Sequence, residues 1–283
     1  MSLPAALSYY PGCSLEGSAR ELDGSIRALS AALGIQLREL EDWSCCGASA
    51  AHAASAELAL GLAARNLVLA ERAGRDLIVP CASCFSRLKH AEHALLAAPP
   101  GKRRLPGFPY EGRVRVWDLV EFLAQEELLA RLTAQVRRPL AGLTAACYYG
   151  CLTQRPPRVT GAANPEDPRG MERLLTALGA VAVEWSLKTE CCGGSHALTR
   201  PDVVERLVGR LAARAREAGA ECLVVACQMC QANLDMRQPP GPPALPVLYL
   251  SELAGLALGL NAAPWLRCHL IDARPLLRAR GLL

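Results

Sequence analysis

Two pairs of adjacent cysteines, Cys45 with Cys46 in WSCCGAS and Cys191 with Cys192 in TECCGGSH, carry the densest chemistry in this chain. Each pair follows a lone cysteine, Cys13 in YYPGC and Cys151 in YYGC, and precedes a CxxC, Cys81 and Cys84 in VPCASC and Cys227 and Cys230 in VACQMC. The interval from pair to CxxC is 34 residues in both places, whereas the first interval is 31 residues in one and 39 in the other. Ten of the 13 cysteines thus fall into two sets of five, the mark of an internal duplication. Disulfides are uncommon in a reducing cytosol and an odd number of cysteines cannot all pair internally, so metal ligation or thiol redox chemistry leads.

Five thiols per set narrow the chemistry. A structural zinc site takes four thiolate or imidazole ligands, which leaves one over. Adjacent cysteines also chelate a single tetrahedral ion awkwardly, while side by side they reach two neighbouring irons. A CxxC at a helix start suits disulfide exchange, a task for two thiols rather than five. The closely spaced cysteine run that holds a ferredoxin cubane is absent from both halves. Gly47, Gly193 and Gly194, directly after the pairs, permit φ > 0 or a close backbone approach to inorganic sulfide. Five thiolates around an anionic cluster imply a cluster that is not a simple cubane, with zinc and a dithiol switch as the rivals.

The elements that must position these thiols alternate short apolar runs with longer amphipathic ones, the pattern of α/β domains with largely parallel sheets. Strands are predicted over residues 5–10, 35–40, 76–80 and 113–117, then over 143–149, 181–185, 221–226 and 246–250. Helices are predicted over 18–34, 55–74, 86–97, 170–180 and 200–220. The cysteines therefore fall at the carboxyl ends of strands or the starts of the following helices. Ligands gather at that edge in open α/β sheets, and helix N-termini there offer amides to an anion. A junction in RRPLAGL, residues 137–143, divides the chain into domains of 1–138 and 139–283. Residues 97–113, rich in Pro, Gly and charge, predict a surface loop. The second half's extra residues lie in TQRPPRVTGAANPEDPRG, 153–170, directly after Cys151; they either shape a substrate entrance, dock a partner or form an idle loop.

Other reactive side chains stand near the cysteines. His52 and His196 follow the two pairs by six and four residues and are candidate proton donors, since histidine titrates near neutral pH. A helix-surface or hydrogen-bonded structural histidine is the competing reading, and His90, His93 and His269 rank lower. Cys147, Cys222 and Cys268, outside both sets, read as buried, inert thiols. Arg155 and Arg158 in the insertion are solvated loop charges by default, with recognition of an anionic substrate as the alternative.

Composition excludes several classes. With 283 residues, 51% hydrophobic and 20% charged, a folded protein of one large or two medium domains is expected. The net charge of +4, from 31 basic and 27 acidic residues, is too balanced for a nucleic-acid partner. MSLPAALSYYPGC shows no secretory signal. The longest apolar run, Pro246 to Leu260, contains Ser251 and Glu252 and is too short to span a bilayer, so it reads as a core strand and helix. A cytoplasmic location follows, with membrane association only through a partner. There is no ferredoxin, GxGxxG or haem motif to receive electrons, so the chain is expected to work inside a complex.

The arrangement C, CCG, CxxC, repeated in tandem, resembles the cysteine-rich CCG domain family, and the whole chain resembles the B-type subunit of heterodisulfide reductase. The likeness is carried by YYPGCSLEGSARELDGSIRALSAALGI, EDWSCCGA, VPCASC and PVLYLSELAGLALGL. It implies two pseudo-symmetric Rossmann-like CCG domains, each holding a noncubane [4Fe-4S] cluster, with a disulfide split or formed in the pocket between the clusters. On this resemblance Cys13, Cys45, Cys46, Cys81 and Cys84 hold the first cluster, and Cys151, Cys191, Cys192, Cys227 and Cys230 the second. The partners implied are a ferredoxin-like iron–sulfur subunit and a flavoprotein beyond it. Two alternatives stand beside this: a CCG subunit of a quinone-linked succinate dehydrogenase or fumarate reductase, and a non-catalytic electron-relay scaffold.

Overall fold

The computed structural model describes residues 6–97, 104–105, 108–240 and 243–283. Its first half contains β1 (Ala6–Tyr9), β2 (Gln36–Glu39), β3 (Leu77–Ile78), β4 (Arg104–Leu105), β5 (Phe108–Pro109) and β6 (Val116–Trp117). The second contains β7 (Thr144–Tyr148), β8 (Val181–Ala182), β9 (Cys222–Val225) and β10 (Val247–Tyr249). Two four-stranded sheets result, ordered β2-β1-β3-β6 and β8-β7-β9-β10, and every pairing within them is parallel. Counting strands within each sheet, both have the order 2-1-3-4, so the duplication seen in the cysteine spacing is a duplication of topology. The expected α/β class with largely parallel sheets is what the chain adopts.

Parallel strands need covered faces, and the burial pattern obeys this. All four residues of β9 and all three of β10 are buried, whereas edge strand β2 is largely exposed. Helix Arg20–Ala32 joins β1 to β2 and buries Leu22, Ile26 and Leu29, a helical stripe against the sheet. Helix Ala56–Ala73 starts where the Ser55 hydroxyl accepts from Leu58 N and stops at Gly74, whose φ of 65° is left-handed. Each fully buried Leu or Ile on such a stripe stabilises by about 1.5–3 kcal/mol.

The halves pack through matching elements. Helix Arg20–Ala32, after the first strand of the first half, lies on helix Leu250–Ala257, after the fourth strand of the second. Reciprocally, helix Gly170–Ala177, after the first strand of the second half, lies on helix Leu119–Leu123, after β6, the fourth strand of the first sheet. Buried Ser25 and Ser251 share a 2.7 Å hydrogen bond at the former contact.

Several strands are shorter than predicted. The strand expected over 181–185 ends at Ala182, and the Trp185 indole donates instead to the Cys147 carbonyl at 2.8 Å. In the strand expected over 113–117, Arg113 N and Arg115 N donate to the carboxylates of Glu71 and Asp76, leaving only Val116–Trp117 in the sheet. Within the loop expected at 97–113, β4 and β5 form a small antiparallel ribbon, and residues 98–103, 106 and 107 lie outside the described residues. So do residues 1–5, which carry the start of the segment read for a secretory signal.

Candidate functional site

In a sheet of order 2-1-3-4 the chain leaves the first strand in one direction and returns on its other side for the third, which opens a crevice at the carboxyl ends between strands one and three. Cys13 follows β1 and Cys81 with Cys84 follows β3, so they flank this crevice; Cys45 and Cys46 arrive from the end of β2. Cys151, Cys191 with Cys192, and Cys227 with Cys230 occupy the same stations after β7, β8 and β9. The fold thus collects both sets from segments far apart in sequence.

Within the first set, Cys46 Sγ lies 3.2 Å from Cys84 Sγ, and Cys81 Sγ accepts from Cys84 N at 3.4 Å across the first turn of helix Ala82–Leu96. Cys13 and Cys45 form a second contact. The other half repeats this, with Cys192 Sγ 3.8 Å from Cys230 Sγ and Cys151 bonded to Cys191. All 13 cysteines are free. Cys13, Cys45 and Cys191 are exposed and Cys151 is half-buried, while the other six of the ten are buried. Each set therefore has a closed floor and an open mouth.

Glycines make the close approach possible. Gly12 and Gly150 both have a φ of 68°, and a Cβ there would come within 3.0 Å of Cys84 Sγ or 3.1 Å of Cys230 Sγ. The glycines after the vicinal pairs, Gly47 and Gly193, have φ of 76° and 80° and turn their amides onto Cys45 Sγ at 3.4 Å and Cys191 Sγ at 3.3 Å. These are the left-handed conformations that side chains resist.

Two tyrosines, each three residues before its lone cysteine, brace the vicinal loops. Tyr10 OH donates to the Ser44 carbonyl at 2.7 Å, and Tyr148 OH to the Glu190 carbonyl at 2.6 Å, each one residue ahead of its pair. Fully buried Asn66 adds bonds to both backbone groups of Ser44. Sequence reasoning passed over these residues because a tyrosine in an apolar run reads as core; the signal was the shared Tyr-x-Gly-Cys spacing.

Within each set the hydrogen-bonded thiols shift one another in opposite directions. Hydrogen bonding from Cys84 holds the Cys81 thiol down at about 6, and the same partner lowers Cys46. Cys84 is pushed well up by its hydrogen bonds to Cys46 and Cys81 and by burial. In the second half Cys191 is lowered to about 6 by Cys151 and Cys192 to about 7 by Cys230, while Cys151 and Cys230 are raised. Thiolates are the metal-binding form of cysteine, and the lowering of Cys46 and Cys81 in one set and of Cys191 and Cys192 in the other favours that form in both. Among the described residues no three His, Cys, Asp or Glu side chains surround one point as the ligands of a single metal ion would. An all-sulfur donor set with glycine amides turned onto its sulfurs fits an iron–sulfur group.

The two floors meet across the boundary between halves. Gln228 Nε2 donates to Cys81 Sγ at 2.9 Å, and Ser83 Oγ donates to Met229 Sδ at 3.0 Å. Beside them a small cavity lined by Pro80, Ala82, Asp118, Tyr149, Thr153 and Cys227 adjoins a groove of about 420 Å³. Asp118, Val120, Tyr149 and Thr153 line both spaces, and insertion residues from Thr153 to Arg169 wall the groove. Burial raises the Asp118 carboxyl to about 6, with Glu121 adding to the effect.

The remaining candidates divide. His196 is exposed on a short 3-10 turn, close enough to Cys191 to add a minor electrostatic influence to the lowering of that thiol. His52 is also exposed, 3.4 Å from the Arg87 guanidinium through Nδ1. His269, ranked low in the sequence, is buried and bonded to Glu252 Oε1 at 2.9 Å and to Gln231 at 3.0 Å. Cys147 and Cys222 are fully buried, and burial raises both thiols, Cys222 to about 12. Cys268 departs from the expectation: it is exposed, because it lies just past helix Ala263–Leu266 on the outside of the tail. Arg155 is committed to Glu166 at 2.6 Å and the Thr189 carbonyl at 2.8 Å, pinning the insertion to the loop ahead of Cys191.

This chain belongs to the CCG cysteine-rich domain family, whose model matches twice, over residues 7–89 and 145–235. It is 34% identical to the 8-methylmenaquinol:fumarate reductase membrane anchor subunit of Wolinella succinogenes, over 95% of this chain and 98% of that one. It is 30% identical to the B-type subunit of the ferredoxin/F420H2-dependent CoB-CoM heterodisulfide reductase of Methanosarcina acetivorans, over 91% and 90%. The same identity relates it to a heterodisulfide reductase B-subunit-like protein of Archaeoglobus profundus, over 88% and 89%. A crystal structure of a hypothetical protein from Helicobacter pylori shares the fold, with a TM-score of 0.71 at 14% identity, over 96% of this chain and about half (53%) of that one. Among the described residues no helix is long and apolar enough to cross a membrane.

Proposed function

We propose that this chain is the iron–sulfur subunit of a heterodisulfide reductase-like complex, an oxidoreductase acting on thiols and disulfides. In this reading Cys13, Cys45, Cys46, Cys81 and Cys84 hold one noncubane [4Fe-4S] cluster, and Cys151, Cys191, Cys192, Cys227 and Cys230 hold another. The observation that carries it is the meeting of two five-thiol sets across the half boundary, joined by the bond from Gln228 to Cys81. The division into domains of 1–138 and 139–283 belongs to the same reading, one cluster to each.

Bound there, the clusters supply one-electron steps and a soft metal for sulfur. The overall conversion is RSSR' + 2 e⁻ + 2 H⁺ → RSH + R'SH, or its reverse, with the electrons exchanged through a ferredoxin-like subunit and a flavoprotein behind it. The protein's own part is to hold the thiolates, to open Cys13, Cys45, Cys151 and Cys191 toward substrate, and to deliver protons. His196, beside Cys191, is the stronger candidate donor through a ring nitrogen, and His52 the weaker, given its Arg87 neighbour. The complex works in the cytoplasm, meets the membrane only through a partner, and binds no nucleic acid.

The relative from W. succinogenes favours a second reading, in which the same clusters pass electrons between quinol and a fumarate reductase-type partner. One assay separates the two. Cluster-loaded, reduced protein is mixed without oxygen with lipoamide, with a linear dialkyl disulfide, or with a menaquinone analogue. Reoxidation by a disulfide with two thiols released per two electrons is the expected result. Reoxidation by the quinone alone, with no thiol released, would replace the disulfide reading with the quinone one.

A further inference from the structure

The duplication is broken inside the CxxC turns. Where the first half has Ala82 and Ser83, the second has Gln228 and Met229, and these residues face each other across the boundary. Ala82 carries no hydrogen-bonding side chain. Gln228 does, and it reaches out of its own half: Nε2 lies 2.9 Å from Cys81 Sγ, a sulfur of the opposite set. Gln228 Nε2 is the donor in this contact, the direction that a cluster-ligating Cys81, a thiolate that can only accept, would require.

The rest of this side chain argues against a packing role. Gln228 is 5% exposed, and its Oε1 is buried with no hydrogen-bond partner among the described residues. A buried carboxamide with an unpaired oxygen works against stability, and an apolar side chain of similar volume would fill the same space. The bond to Cys81 is what the polar end secures.

Taking the two cysteine sets as cluster sites, as proposed above, we infer that Gln228 is a positioning residue that sets the reduction potential of the N-terminal cluster from within the C-terminal half. Reduction adds negative charge to a cluster and its sulfurs, and an N–H donor on a ligand sulfur favours the more negative state, so it raises the potential. The second set has a donor of its own, Asn233 Nδ2, 3.6 Å from Cys192 Sγ and bonded also to the Cys192 carbonyl at 3.3 Å. One donor acts across the boundary and the other within its half, so each cluster has a separate handle and the electron affinities of two near-identical sites can be ordered.

The test is a redox titration followed by electron paramagnetic resonance on loaded wild type, Gln228→Leu, Gln228→Met and Asn233→Leu. Either Gln228 variant should make one of the two cluster signals about tenfold harder to reduce, a fall of about 59 mV for a one-electron couple, and leave the other unmoved. Asn233→Leu should shift the signal that the Gln228 variants leave alone. Melting temperatures of the Gln228 variants should match or exceed that of wild type. Unmoved potentials with about eight irons per chain would overturn the role of Gln228 alone. So would a lowered melting temperature with unmoved potentials, which would make it a packing residue. Absence of any iron–sulfur signal from the N-terminal site would overturn both this inference and the reading it rests on.

Discussion

Replacing Cys84 by serine is expected to remove about four of about eight irons and to abolish disulfide turnover, leaving the C-terminal cluster in place. Cys84 sits at the centre of its set, 3.2 Å from Cys46 Sγ, with its amide on Cys81 Sγ and the Gly12 turn against its sulfur. A serine oxygen is shorter in reach and harder as a ligand, and iron–sulfur clusters select thiolate. Cys230→Ser should have the mirror effect, because Cys230 holds the equivalent place beside Cys192 and Gly150. Under the disulfide reading proposed above, turnover should vanish in either single variant, since a disulfide bridged between two clusters needs both. Iron and acid-labile sulfide counts on the purified variants check this, with Cys147→Ser as a control that should keep full iron. Full iron in Cys84→Ser would remove it from the ligand set.

His269→Ala is expected to destabilise the fold by about 3–5 kcal/mol, the cost of leaving one partner of a buried pair alone. The side chains of His269 and Glu252 are each 1% exposed, 2.9 Å apart, and Gln231, next to Cys230, bonds to the other ring nitrogen. In a chain of this size the melting temperature should fall by on the order of 10 °C. The double variant His269→Leu with Glu252→Leu should recover part of the loss, because neither member of the pair is then left buried without the other. The pH dependence has a definite sign. Burial lowers the His269 pKa, but the hydrogen bond and charge of Glu252 outweigh it and the folded value lies above the ordinary one. The pair's contribution is therefore complete below the unfolded value of about 6.5 and is lost as the pH rises through the folded value. Melting curves of wild type and His269→Ala across this range should converge toward alkaline pH.

The cysteine spacing made the duplication legible, because a repeated interval of 34 residues reflects a repeated crossover between strands two and three. It made the glycine turns legible too, since a glycine directly after a cysteine pair has few other uses. Contacts made across the chain were not legible. Nothing in the CxxC motif marks Gln228, because nothing in the motif says that the opposite CxxC lies beside it. His269 looked isolated because its partner Glu252 is hidden in an apolar helix, 17 residues away. Arg155 looked free because Thr189 is brought to it only by the folding of the insertion. The ends of the edge strands were misjudged where side chains, those of Glu71, Asp76 and Trp185, take over backbone bonds that a ladder would have made.

The most direct test of the account is the amount of iron, acid-labile sulfide and zinc per chain in protein purified without oxygen. Two four-iron clusters require about eight irons and about eight sulfides, and that is the result predicted. One zinc per site without sulfide, reproduced after an attempt at cluster reconstitution, would contradict it and leave a zinc-stabilised scaffold in place of a redox subunit.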